Sequence, residues 1–299
     1  MPQARADFVG GLMSRFADSE IDFARSDSHV PFPPVAFVSL SNYGDTELKV
    51  EKSDTSLVYD QVSVSQAAVL PILASPRDAL FVGEWVSRSE FDAQLPTETS
   101  FDVLTLGLPM GWLRQASPDW QMIAFAMPMG HRAQFDTSKW SFETMAGLFG
   151  RYTQSDRLWW AFGLFADVGT GSNLYLPYVG ASLTLNEAWT LSAMMPWPAI
   201  LYAPTEDTLL RLGVSPSGAS WSVQPGADEV SLDLGGWDFG LSVDHRFAGP
   251  FWGSLEIGVG GLRGLTFASD GLNTPELDTG STWYVSLGVN LRPGGFDAK

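Results

Sequence analysis

The sequence predicts an all-β protein: a single antiparallel transmembrane β-barrel of about 12 strands, with 14 as the alternative, behind a short N-terminal helix and linker. Three observations carry that expectation. The last regular stretch alternates, with Trp283, Val285, Leu287, Val289 and Leu291 on one parity and Tyr284, Ser286, Gly288, Asn290 and Arg292 on the other, so a strand here has one apolar face and one small or polar face. From Leu57 onward the stretches between turn signals exceed the ~9–11 residues that a tilted strand needs to cross hydrocarbon, whereas soluble strands average ~5–6. Finally, in the five most regular strands every charge has the parity opposite to the apolar residues, as expected if an Arg or Lys facing mid-bilayer lipid costs ~2–4 kcal/mol.

Residues 1–56 form an N-terminal, periplasmic segment. Ala4-Arg5-Ala6 before Asp7 is either the end of a trimmed signal peptide or an accidental tripeptide. Phe8, Val9, Leu12, Met13 and Phe16 share one face at helical spacing, which predicts a short amphipathic helix that plugs a lumen, lies on a membrane or frays. Pro31-Phe32-Pro33-Pro34 closes this region as a linker, and Val35 to Leu40 is a candidate extra strand.

The barrel is expected over 57–292, with strands at 57–72, 78–92, 99–114, 119–135, 141–154, 157–169, 174–186, 188–203, 207–224, 230–246, 251–268 and 280–292 and a tail at 293–299. A fourteenth strand follows if residues 35–49 pair as well. Ala74-Ser75-Pro76-Arg77, Ser117-Pro118-Asp119, Ser155-Asp156, Asn186-Glu187 and Pro225-Gly226 supply the turns. Both termini are expected in the periplasm. Strands 78–92 and 119–135 alternate poorly, and their faces are left open.

The charges that sort inward are Glu143, Arg151, Arg157, Asp167, Asp238, Asp244, Arg246, Glu256 and Arg292. With four Arg against five carboxylates they are nearly balanced, which predicts mutual pairing in a largely closed lumen, because an unpaired charge in a dry interior is costly. Arg151 and Arg157 are expected near the outer end, and Glu143 and Asp167 near the periplasmic end with Asp244, Arg246 and Glu256 as partners. Trp112, Trp120, Trp189, Trp221 and Trp283 fall near one set of strand ends and Trp140 and Trp252 near the other, as interfacial girdles should.

Proline recurs inside strands at Leu70-Pro71, Leu108-Pro109, Met127-Pro128, Leu176-Pro177 and Met195-Pro196, where it removes a ladder donor and suggests bulges. Leu108 to Pro128 resembles Leu176 to Pro196, as a duplicated hairpin would. With these dipeptides, the Trp followed shortly by Pro and the closing Gly-rich hairpin, the chain resembles an outer-membrane β-barrel family of Gram-negative bacteria known only as a domain of unknown function. It is more distantly similar to porin-like barrels of predatory bacteria. That resemblance spans roughly residues 35–292 and implies a porin-like or structural, homo-oligomeric barrel associated with outer-membrane lipids and inserted by the barrel-assembly machinery. The terminal strand departs from the usual aromatic ending, finishing Val289-Asn290-Leu291-Arg292 with Phe296 beyond.

Other function classes are excluded or disfavoured. The net charge of −17 argues against nucleic acid as a partner, the absence of cysteine removes thiolate metal sites and disulfides, and no run of about 18 apolar residues exists for a membrane helix. Tyr152-Thr153-Gln154-Ser155 resembles a fragment of the outer-membrane phospholipase signature, but none of the three His stands beside a serine in the required context. No catalytic residue, metal or cofactor is expected. A small-solute diffusion channel and a lipid-acting enzyme remain as alternatives to the porin-like barrel.

Overall fold

A computed structural model describes residues 19–21, 28–50, 56–94, 99–134, 138–169, 173–223, 230–269 and 277–292. The helix expected over 8–16 lies outside these residues, and among them no helix occurs. The chain passes up and down as fourteen antiparallel strands. These are β1 (Ala36–Val50), β2 (Ser56–Ser75), β3 (Asp78–Gln94) and β4 (Thr99–Gly107 continued by Met110–Ser117). There follow β5 (Trp120–Ala133), β6 (Ser138–Lys139 continued by Ser141–Ser155), β7 (Leu158–Gly169), β8 (Asn173–Thr184), β9 (Trp189–Met195) and β10 (Ala199–Thr205). The last four are β11 (Thr208–Val223), β12 (Val230–Ala248), β13 (Phe251–Ser269) and β14 (Leu277–Thr279 continued by Thr282–Leu291). Each strand pairs with its sequence neighbours, and β1 pairs with β14 from Ala36↔Leu291 to Tyr43↔Tyr284, which closes the barrel.

Twelve strands therefore becomes fourteen, for two physical reasons. Residues 36–50 form a full strand, since β1 pairs with both β2 and β14. The stretch 188–203, long enough for one crossing, is instead a short hairpin: in Met195-Pro196-Trp197-Pro198 two prolines without backbone donors end the β8 ladder at Val179↔Met195, and the chain turns back into β10.

These two changes also reverse the direction of every strand between 57 and 186. The tight connections at 76–77, 118–119, 156–157, 206–207 and 249–250 all lie at the end that holds Ala36 and Leu291. Short turns mark the periplasmic end of such barrels. Register shifts cluster beside these turns, at Leu73/Ser75, Gln115/Ser117, Thr153/Ser155, Tyr202/Thr205 and Arg246/Ala248.

The prolines do not make the bulges. Pro71 pairs in register with Phe81, beyond the last β1 partner of β2. Pro109 sits in the break within β4, where its carbonyl accepts from Gly83 N, and Pro128 opposite that break accepts from Leu108 N. Pro177 and Pro196 lie just past the end of the β8–β9 ladder.

Period-two burial follows from the two solvents. Val38, Leu40, Val64, Leu148, Leu164, Val179, Leu212, Ile257 and Val289 are exposed on the outside, while Tyr43, Ser89, Asp238, Ser242 and Tyr284 are buried on the inside. The glycines of the inner face have a specific use. A Cβ built at Gly240 or Gly258 would run into the Tyr284 side chain, so these positions leave the room that a lumen tyrosine fills. Gly258→Ala is expected to cost about 1–3 kcal/mol through overpacking, read as a lower urea midpoint of the heat-modifiable folded band.

Candidate functional site

The lumen has two chemically different walls. Along β14, β1, β2 and β3 it is lined by serine ladders: Ser41 Oγ donates to Ser286 at 2.9 Å, Ser63 and Ser89 lie 2.8 Å apart, and Ser65 donates to Ser87 at 3.0 Å. Above them Tyr43 and Tyr284 stack with centroids 5.3 Å apart, and their hydroxyls donate to the carboxylates of Asp238 (2.7 Å) and Glu256. Asp238 also accepts from Ser217 at 3.0 Å. At the periplasmic end Arg292 joins three parts of the chain. Its Nη2 donates to Asp244 at 2.7 Å, its Nη1 to the carbonyl of Phe32 at 3.2 Å, and its guanidinium lies 5.1 Å over the ring of Trp252. Between this layer and the tyrosines lies a cavity of about 320 Å³ bordered by Ser39, Arg211, Asp244, Glu256, Ser286 and Asn290.

The opposite wall, on β5 to β8, is apolar. Phe125 stacks on Phe149 at 5.8 Å, Phe149 meets Tyr178 edge-on at 4.9 Å, and Trp197 from the β9–β10 tip meets Phe165 at 5.8 Å and Tyr178 at 5.7 Å. Register puts these rings inside, since Phe125 and Phe165 both stand opposite Gly147, whose neighbours Ala146 and Leu148 take the outward parity.

Buried residues line both ends of the lumen among the described residues. At the periplasmic mouth Ile21 packs on Ala79 and Leu113 at the β3–β4 side, while Val30 packs on Ala203 and Leu209 and His29 N donates to Glu187 O at 2.8 Å at the β9–β11 side. At the other end Tyr59, Phe91, Val103 and Ala133 face inward yet are at most 7% exposed. There the upper part of β11 crosses to pair Ser222 and Val223 with Lys139 and Ser138 of β6.

The charges predicted from sequence distribute as follows. Asp238, Asp244, Glu256 and Arg292 line the lumen as described above. Glu143 sits inside, 3.3 Å from His131 Nε2, and Arg151 donates to Gln121 Oε1 at 3.2 Å while lying 4.9 Å over Trp159. Asp167 has the same inward parity, opposite Met145. Arg246 pairs with Asp207 of the adjacent turn. Arg157 is different: it is exposed in the two-residue turn before β7. Because the strands before 186 run in the reverse sense, Glu143 and Asp167 lie at the extracellular end and Arg151 at the periplasmic end. Pairing of Glu143 and Asp167 with Asp244, Arg246 or Glu256 across the lumen is therefore ruled out by height; Arg292–Asp244 reaches from β14 past β13 to β12, whereas Arg88–Asp102, Arg114–Asp78 and His131–Glu143 join neighbouring strands.

Trp112, Trp120 and Trp189 stand at the periplasmic rim and Trp140 at the extracellular rim. Trp283, 58% exposed, belongs with Trp140 and not with the first group. Trp252, expected at an interface, is 3% exposed inside the lumen on Arg292. The side chain of Trp221 lies outside the described residues.

Sequence reasoning passed over the lumen aromatics Tyr43, Phe125, Phe149, Phe165, Tyr178 and Trp197. The signal for Phe125 was the poor alternation of 119–135, which arises where both faces of a strand are apolar. It also passed over Thr105, whose Oγ1 is 2.9 Å from His131 Nδ1, with the Glu143 carboxylate 3.3 Å from His131 Nε2 but not hydrogen-bonded to it. A hydroxyl, imidazole and carboxylate in this order can be a nucleophile relay. Here the same cross-strand pair recurs between Thr208 and His245 at 3.0 Å, again directly opposite in register, so it is a ladder pairing that stitches strands.

A closed barrel with an apolar outer band and aromatic rims at two heights places the protein in a bacterial outer membrane. No family model matches the chain, and no curated protein matches it. Among solved structures it is similar to the Pseudomonas putida toluene transporter TodX (TM-score 0.44, 12% identity, 87% of this chain and 90% of that one). It is also similar to an outer-membrane channel from Pseudomonas putida F1 (0.42, 12%, 91% and 100%) and to the translocator domain of the autotransporter NalP from Neisseria meningitidis (0.38, 10%, 97% and 97%). All three are outer-membrane barrels, and likeness at these scores carries no argument about cargo.

The Arg292–Asp244 pair is buried on both sides. Asp244→Ala strands the guanidinium and is expected to destabilise the barrel by about 3–5 kcal/mol, whereas Asp244→Leu combined with Arg292→Met is expected to recover most of that loss. Urea unfolding of the purified barrel in detergent separates the two.

Proposed function

We propose that this protein is a porin-like outer-membrane barrel whose lumen is closed along its axis, so that it does not serve as a general diffusion pore. The observation that supports this reading is the packing of Ile21 and Val30 inside the periplasmic mouth at two different sides, with His29 and the Phe32 carbonyl on Arg292 beside it. Buried polar side chains such as Gln115, Gln121, Thr184 and Thr190 at the same end support this reading. The continuous apolar outside supports association with outer-membrane lipids, and assembly as a homo-oligomer is part of the proposal. Planar-bilayer recording of the full chain is expected to give no stable unit conductance, and light scattering in detergent a mass of more than one chain. A steady porin-sized conductance would overturn the closed lumen.

A further inference from the structure

We infer that the wall has a lateral window between the upper halves of β8 and β11, through which a small, flat, uncharged molecule dissolved in the outer leaflet reaches the aromatic side of the lumen. This goes beyond the closed axis proposed above and rests on it. The frame of the window is set by strand lengths. The β9–β10 hairpin that fills the lower wall ends at 196–198, where Met195 pairs with Val179 and Val214 N donates to Pro198 O at 3.1 Å. Above that level β8 continues for Asn173–Tyr178, which pair with β7 but, among the described residues, have no strand on their other edge. Likewise β11 continues above Gly213 with no pairing to β10, and only at Ser222 and Val223 does it meet β6. The gap is thus bounded by β8, by the hairpin tip, by β11 and by the β11–β6 pairing.

A sheet edge left without partners in hydrocarbon is expensive, so a gap at this height needs a compensating use. Its chemistry says what that use is. Trp197 forms the sill and Tyr178 the jamb, and behind them stand Phe165, Phe149 and Phe125, each ring 4.9–6.4 Å from the next in edge-on, tilted or stacked geometry. Leu176 and Met194 share this inner face, with Tyr178 Oη 3.0 Å from Met194 Sδ. No charged residue belongs to the ring cluster itself; Asp167, opposite Leu174, and Arg211, which donates to Val214 O at 2.8 Å, stand at the upper and lower edges of the gap. The one free polar atom is Trp197 Nε1, buried with no hydrogen-bond partner, which could meet at most a weak acceptor or a π face. A charged or strongly hydrated solute would lose its hydration here with nothing in return, whereas a planar apolar molecule replaces lipid contact with ring contact.

The chain has no cysteine, so a single introduced thiol reports access without interference. Leu176→Cys places it on the inner side of the jamb and Ser65→Cys on the serine wall. In lipid vesicles, N-phenylmaleimide is expected to modify Leu176→Cys at least tenfold faster than a charged methanethiosulfonate does, with Ser65→Cys slow towards the charged reagent. Naphthalene is expected to slow the apolar reaction at Leu176→Cys at least threefold, and Trp197→Ala to abolish that protection. Fast reaction of both thiols with the charged reagent would mean an aqueous axial path and would overturn the closed lumen and the window together. Slow reaction of Leu176→Cys with both reagents, whether the rings shut the gap or a second copy pairs along the β8 edge, would overturn the window and leave the closed axis standing. Rapid apolar labelling unaffected by naphthalene would overturn the ligand class.

Discussion

Everything in this protein depends on the antiparallel closure of β1 on β14. In lipid an unpaired sheet edge cannot turn to water, so a chain of long amphipathic strands is stable there only as a ring. The register from Ala36↔Leu291 to Tyr43↔Tyr284 fixes more than the ring. It brings Tyr43 beside Tyr284, sets Ser41 against Ser286, and places Arg292 beneath Asp244, so that the polar wall of the lumen is assembled from the two ends of the sequence. The same closure draws in the N-terminal segment, because Val35 N donates to Leu291 O.

The interior is partitioned because each sector solves a different packing problem. Where glycine and serine line the inner face, as on β12 to β14 and β1 to β3, there is room for the two tyrosines, and their hydroxyls satisfy carboxylates that would otherwise be buried unpaired. On β5 to β8 large rings take the inner positions and glycines such as Gly147 and Gly163 sit between them, where a Cβ would strike Phe149 or Phe125. Large and small residues thus alternate around the circumference as well as along each strand.

Much of this was legible in the residues, because a lipid exterior enforces the period of two wherever the lumen side is polar. The faces of the terminal strand and of the 237–259 hairpin read correctly for that reason, and those of the 141–169 hairpin because Glu143, Arg151, Asp167 and the inner glycines kept the inward parity distinct from the aliphatic outer one. What stayed hidden was the number of passes. β1 follows a proline-rich linker and carries Asn42, Asp45 and Lys49 among its apolar residues, so it offered too little outward pattern to be counted as a full strand. The stretch 188–203 has the length of a single crossing, and nothing in Met195-Pro196-Trp197-Pro198 distinguishes a bulge from a hairpin tip unless the neighbouring strand is known to stop pairing there. The first omission reversed the strands from 57 to 186, and the second restored the sense of those that follow. That is why Asp244 and Arg246 stood at the expected height while Glu143 and Asp167 did not. Arg157 was taken as a lumen charge for a local reason: parity continues formally through a two-residue turn although the chain there belongs to neither face.

The shortness of the β9–β10 hairpin is the one departure from a uniform wall, and it falls where the interior is least polar. A gap beside the serine ladders would expose hydroxyls and carboxylates to hydrocarbon, with the cost of each unsatisfied group added to that of the open edge. Beside Phe165, Tyr178 and Trp197 the ring side chains are of the same nature as lipid, and the backbone edges of Asn173–Tyr178 on β8 and of 214–221 on β11 remain to be offset. Pro177 lowers that remainder, because a proline in this segment has no N–H to leave unpaired. The position of the gap, the proline in its edge and the aromatic lining behind it are therefore mutually consistent, and moving any one of them to another sector would raise the cost of the other two.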